Sequence, residues 1–205
     1  YFQAYYIESD LSKRDTLYLK GSKSALKAFE NSDFYKSFSD TSSLENNKKK
    51  LEAIKKAPIE TIGVLFWWAI NHGQYLISKP IIERIESREI LELAMYRIST
   101  LDEDYYYGGP SRFFGMFYSR LPGVPLERAR INFDESLMDN PNYFGTRVLR
   151  ARYYYTKLGY REQFQDDLKH VIKTDPSLLP DAMPENLFEQ EKAKELLNNQ
   201  TILFE

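Results

Sequence analysis

The chain contains no cysteine. That excludes disulfide staples and a thiol nucleophile, but it leaves the compartment open, because many exported bacterial proteins also do without cysteine. Histidine is scarce. His72 and His170 are the two present, far apart in sequence and without metal-ligand spacing. There is little charge imbalance: the net charge of −2 gives no whole-molecule field that would favour nucleic acid or an anionic membrane. Long apolar runs are missing too. The longest, Ile62 to Ile70, is interrupted by Gly63 and is too short to span a bilayer. No secretion signal, Gly-x-Ser-x-Gly elbow, phosphate loop or dinucleotide fingerprint occurs. These absences argue against an enzyme or a cofactor protein and in favour of a binding module.

Aromatic residues are plentiful, at 15% of 205 residues, with 16 Tyr and 13 Phe. They supply large apolar area, and the tyrosines add a polar tip suited to groove linings. Apolar residues at 42% suffice for a real core. Helical periodicity dominates and no alternating strand stands out. Tyr1-Phe2-Gln3 resembles the end of a cleaved purification tag and is set aside from the fold argument.

Residues 12–38 read as one helix broken near Gly21, or as two. Asp40 to Ser43 reads as a loop with an N-cap. A lysine-rich helix runs from Leu44 to Lys56, and its run Lys48-Lys49-Lys50 reads as a solvated face. Further helices are expected over Glu60–Ile77, Ile81–Leu101, Pro110–Leu121, Leu126–Asp139, Tyr143–Leu158, Arg161–Thr174 and Pro184–Asn199. Stops recur at Ala57-Pro58, Asp102-Glu103, Asn140-Pro141 and Asp175-Pro176, and the later intervals lie in the mid-thirties of residues. That period, built from helix pairs, predicts an all-α, tetratricopeptide-like solenoid of about nine helices. Residues 4–57 form N-terminal helices, continuous with repeats and a C-terminal capping helix over 58–205. The alternative is a generic helical bundle.

The middle pair carries the pattern best. Phe114-Gly115 and Tyr118 fill its first helix, Ala129 and Phe133 its second, and Pro141 closes it. Gly115 and Ala129 are small enough to let two helix axes approach. The final helix reads as a cap, with Leu187, Phe188, Leu196 and Leu197 at helical spacing.

Several of these segments together resemble the TatT family, the T component associated with tripartite ATP-independent periplasmic (TRAP) transporters. They are Tyr105-Tyr-Tyr-Gly-Gly-Pro-Ser-Arg-Phe-Phe-Gly-Met-Phe-Tyr-Ser-Arg-Leu-Pro, Ala129-Arg-Ile-Asn-Phe-Asp-Glu-Ser-Leu, Pro141-Asn-Tyr-Phe-Gly-Thr-Arg-Val-Leu-Arg-Ala-Arg-Tyr-Tyr, Asp175-Pro-Ser-Leu-Leu-Pro and Pro184-Glu-Asn-Leu. The resemblance runs from about Thr61 to Leu197. It departs at Gly123-Val-Pro, where a double-Gly-Asp turn is expected. It implies a periplasmic, lipid-anchored tetratricopeptide protein that partners the transporter's solute-binding component, assembles as a homotrimer and handles a hydrophobic or carboxylate ligand. A general protein–protein interaction scaffold without a transport role is the alternative.

Candidate site residues follow from offsets along the first helix of each pair. Arg112, Met116 and Arg120 are spaced by four and share one helix face. Arg152 and Tyr155, with Val148, are the counterparts in the next pair. Arginine forks suit carboxylates, so this face predicts a concave groove for a ligand with an apolar body and an acidic head. The competing expectation is that these arginines pair with the chain's own acids. Trp67 and Trp68 point about a hundred degrees apart on one helix, so one belongs to the core and the other to a rim. Tyr105, Tyr106 and Tyr107 sit at a helix junction, either as part of a binding surface or packed under the turn. Gly108-Gly109 reads as a tight turn beside Pro110, with an anion nest as the alternative. Asp102-Glu103-Asp104 reads as solvated turn acids.

Overall fold

The computed structural model describes residues 1–205, and they are helical throughout with no strand. The chain forms two compact units, Tyr1–Glu103 and Asp104–Glu205. The boundary falls in the acidic turn that follows Leu101.

In the first unit, a short π-helical turn, Gln3–Ile7, precedes α1, Leu11–Glu30. Asp10 caps α1 by accepting from the Lys13 amide at 2.9 Å. The expected break near Gly21 does not occur. Gly21 instead marks the crossing of α1 with a later helix: a Cβ there would meet Asn71 Oδ1 at 2.6 Å. The break comes at Asn31-Ser32, where the Ser32 hydroxyl caps α2, Asp33–Thr41, through the Tyr35 amide. Next come α3, Asn46–Lys56, a 3₁₀ turn at Ile59–Thr61, and α4, Ile62–Ile77. The helix expected over Ile81–Leu101 is divided at Ser87 into α5, Ile81–Glu86, and α6, Arg88–Leu101. Phe29, Ile54, Leu65, Phe66, Leu91, Met95 and Ile98 fill this unit's interior.

The second unit opens with α7, Tyr105–Arg120, packed along α8, Leu126–Asp139. Gly115 lies at their crossing as its size predicts. A Cβ on it would meet ring carbons of the fully buried Phe133 at 2.7 and 2.8 Å, and Ala129 is fully buried beside it. Then α9, Phe144–Leu149, passes through a π-helical stretch, Arg150–Tyr155, into α10, Thr156–Leu158. The amide of Thr156 donates to the carbonyl of Ala151, five residues back. Next are α11, Arg161–Lys173, two 3₁₀ turns, α12, Met183–Asn198, and α13, Gln200–Leu203. Phe144, Val148, Ala151, Phe164, Leu168, Val171 and Ala193 make one core cluster.

There are thus thirteen α-helical segments where about nine were expected. The excess comes from the breaks at Asn31-Ser32 and Ser87, the π stretch and the short terminal segment. Helix α12 departs from the polarity pattern expected of the final helix. Leu187 and Phe188 are exposed, and Asn186, Glu189 and Ala193 face inward. Asn186 explains part of this. Its side chain accepts from the Phe144 amide at 3.0 Å and donates to the Asn142 carbonyl at 2.9 Å, closing the start of α9. No helix of the chain is long and apolar enough to cross a membrane.

Candidate functional site

Every expected site residue except Trp67 and Trp68 lies in the second unit. The most unusual backbone there is the start of α7. Tyr106, Tyr107 and Gly108 have φ of 55°, 59° and 66°, one turn of left-handed helix. For the two tyrosines this conformation costs roughly 1–2 kcal/mol each, because Cβ crowds the following carbonyl. It persists because several groups hold it. Arg112 donates to the carbonyls of Tyr107 at 2.7 Å and Tyr106 at 3.0 Å. Its guanidinium lies 4.2 Å from the centre of the Tyr143 ring, against which Tyr107 stacks. The phenols of Tyr106 and Tyr143 donate to the two oxygens of Glu185, at 2.6 and 2.7 Å.

Burial, reinforced by the hydrogen bond to Glu185, pushes the Tyr106 phenol far above its ordinary range. Burial likewise raises Tyr143, and the Glu185 charge adds to it. Both phenols therefore stay protonated as donors. The Gly108 amide donates to the Asp104 carbonyl at 3.2 Å, so Gly108-Gly109 forms a tight turn.

Arg112 is therefore an interior residue, with relative exposure of 6%. Its fork is taken up by backbone carbonyls and not by the chain's acids, and it does not line an open face. Met116 is buried as well. The spacing by four does put Arg112, Met116 and Arg120 on one side of α7, but the left-handed turn folds back over the first of them. Tyr105 and Tyr106 are half-buried beside it.

Arg120, at the last turn of α7, is exposed. Its guanidinium lies 5.6 Å from the centre of the Tyr153 ring, and that of Arg152 lies 5.3 Å from the same ring. The Lys157 ammonium donates to the Ser119 carbonyl at 2.8 Å. Burial lowers its pKa, and the Arg120 charge lowers it further. Arg120 and Arg152 thus meet at Tyr153, a residue the offsets do not select. Tyr155 packs instead against the core cluster, with Arg150 at 5.3 Å over its ring.

The π stretch explains the shift, because a wider turn puts the α-helical count out of phase after Arg150. The neighbouring arginines do pair with acids. Arg147 and Arg150 both contact the buried Asp167, at 2.8 and 2.7 Å, and Arg150 also reaches Asp134 at 2.9 Å.

In the first unit Trp68 is buried and Trp67 half-buried, in contact with the rings of Tyr1, Phe2 and Phe66. A shallow groove of about 360 Å³ in that unit is lined by Ile85, Arg88, Glu89 and Tyr96, none of them an expected site residue. No group of three or more His, Cys, Asp or Glu side chains could hold a metal ion.

The model of the TRAP transporter T-component family, TAtT, matches residues 7–204. The chain belongs to that family. It extends the resemblance legible in the sequence, which begins near Thr61, through the N-terminal helices. None of the curated proteins compared with this T component matches it. Membership supports an accessory role in TRAP transport.

Proposed function

We propose that this T component is a periplasmic, lipid-anchored and non-enzymatic scaffold that docks on the solute-binding component of its TRAP transporter. It binds or relays a carboxylate or hydrophobic ligand there, and it works as a homotrimer. The observation that carries the reading is the family match across residues 7–204 of an all-helical chain. The α7–α8 hairpin supports a tetratricopeptide scaffold, since its crossing depends on Gly115 and Ala129 at the positions that the repeat reserves for small residues. Such scaffolds bind partners through the faces of stacked helices.

Affinity purification of a tagged T component from the native organism tests this. The solute-binding component should be enriched with it, and solubilised membranes should hold the bait. Enrichment of unrelated proteins without any TRAP component would favour a general interaction scaffold instead.

A further inference from the structure

We infer that the groove between α3 and the α5–α6 segment of the first unit docks a basic amphipathic helix of a partner protein. The inference deepens the proposed function and rests on it only for the carrier of that helix, the solute-binding component.

Helix α6 already has a core face, because Leu91, Ala94, Met95 and Ile98 are fully buried. A second face recurs at helical spacing, with Ile85, Glu89, Glu92 and Tyr96, and it lines the groove together with Lys55 of α3. Ile85 and Tyr96 are 46% and 49% exposed, and Ile81 and Ile82 on the same short α5 are 51% and 58% exposed. Apolar area therefore gathers at this segment that the interior of the unit does not use. The groove holds about 360 Å³ and is shallow. A small molecule needs most of its surface enclosed, whereas an amphipathic helix needs one stripe of side chains covered, so the shape suits a helix.

Charge selects the kind of helix. The cations lining the groove are already paired: Lys55 with Glu52 at 2.6 Å and Arg88 with Glu92 at 3.1 Å. Glu89 is exposed in the groove and forms no ion pair within the chain. From Ile81 to Glu92 there are four glutamates, at 83, 86, 89 and 92, against two arginines, at 84 and 88. Lysine or arginine on the incoming helix would meet Glu89 while its apolar stripe covers Ile85 and Tyr96. The same excess of acid opposes an acidic helix and an anionic lipid surface.

The test is titration calorimetry of two synthetic amphipathic helices into the full chain at physiological salt, one of leucine and lysine and the other of leucine and glutamate. The lysine peptide should bind saturably and the glutamate peptide should not. Ile85→Ser and Glu89→Lys should each weaken the lysine peptide about tenfold. Glu89→Lys should also improve binding of the glutamate peptide, which a merely structural role for Glu89 would not do. Ile131→Ser, at an exposed apolar position of the other unit, should bind like the parent. The unfolding midpoints of all three variants should match the parent. Lysine-peptide binding that is absent in the parent, or unchanged in both groove variants, would overturn the site. Equal binding of the two peptides would overturn the charge argument. Self-association of the parent, or its sedimentation with phosphatidylcholine vesicles, that Ile85→Ser removes would give the face to a second copy or to lipid and overturn the helix assignment. Docking to the cognate solute-binding component is measured separately. Peptide binding without that docking would count against the transport role alone, and docking unaffected by both groove variants would count against the groove alone.

Discussion

Gly115→Ala isolates the packing that holds the α7–α8 hairpin together. The substitution adds one methyl group where the Phe133 ring already stands, with ring carbons at 2.7 and 2.8 Å from the new atom. Phe133 is fully buried, so its ring cannot swing into solvent. Two effects oppose each other. Alanine in place of glycine inside a helix contributes about 1 kcal/mol of propensity. Overpacking a close-packed contact costs roughly 1–3 kcal/mol. The ring is rigid and enclosed, so the upper half of that range applies and the net loss is about 1–2 kcal/mol.

Both tryptophans lie in the first unit, so their fluorescence would miss the event; urea unfolding followed by far-ultraviolet circular dichroism reports on both units. Gly115→Ala combined with Phe133→Leu should show a favourable coupling, because the smaller side chain makes room for the methyl group. If Gly115→Ala stabilises the protein by the full propensity gain, the crossing is looser than described and the hairpin argument fails.

Other consequences can be measured on the same material. Arg112→Ala should destabilise the second unit by on the order of 3 kcal/mol, since it strands two part-buried carbonyls and empties the cation site over Tyr143; an unfolding midpoint equal to the parent's would refute its interior role. The Tyr106 and Tyr143 phenols have folded-state pKa values raised above the unfolded value of about 10. Their contribution is therefore complete below that pH and declines as pH rises through the folded values. Stability measured from pH 9 upwards should fall, and Tyr106→Phe should reduce the slope; an unchanged slope would mean that this phenol is not held protonated.

Much of the fold was legible in the sequence because proline and glycine act locally. Asn140-Pro141 and Asp175-Pro176 follow the ends of α8 and α11, and Gly115 predicted a close crossing from its size alone. Gly21 shows the limit of that reasoning. Glycine can break a helix or let another chain segment approach it, and only the position of Asn71 decides between the two.

The site was less legible, for two physical reasons. Tyrosine rarely takes positive φ, so no local rule places Tyr106 and Tyr107 in a left-handed turn. That turn depends on Arg112, Tyr143 and Glu185, the last of which is distant in sequence, and it is what takes Arg112 out of the solvent. The π stretch then shifts the phase of the following residues, which moves the arginine cluster from Tyr155 to Tyr153. A run of Arg-Ala-Arg-Tyr-Tyr-Tyr carries no sign of its winding in its composition.

The proposed docking on a solute-binding component has a direct test. The direct measurement is isothermal titration of this chain with the solute-binding component of the same TRAP transporter, with a solute-binding protein from an unrelated transporter as the control. Saturable binding in the micromolar range to the cognate protein, and none to the control, is the expected result. No heat of binding to the cognate protein at concentrations of about 100 µM, with both proteins folded, would contradict it.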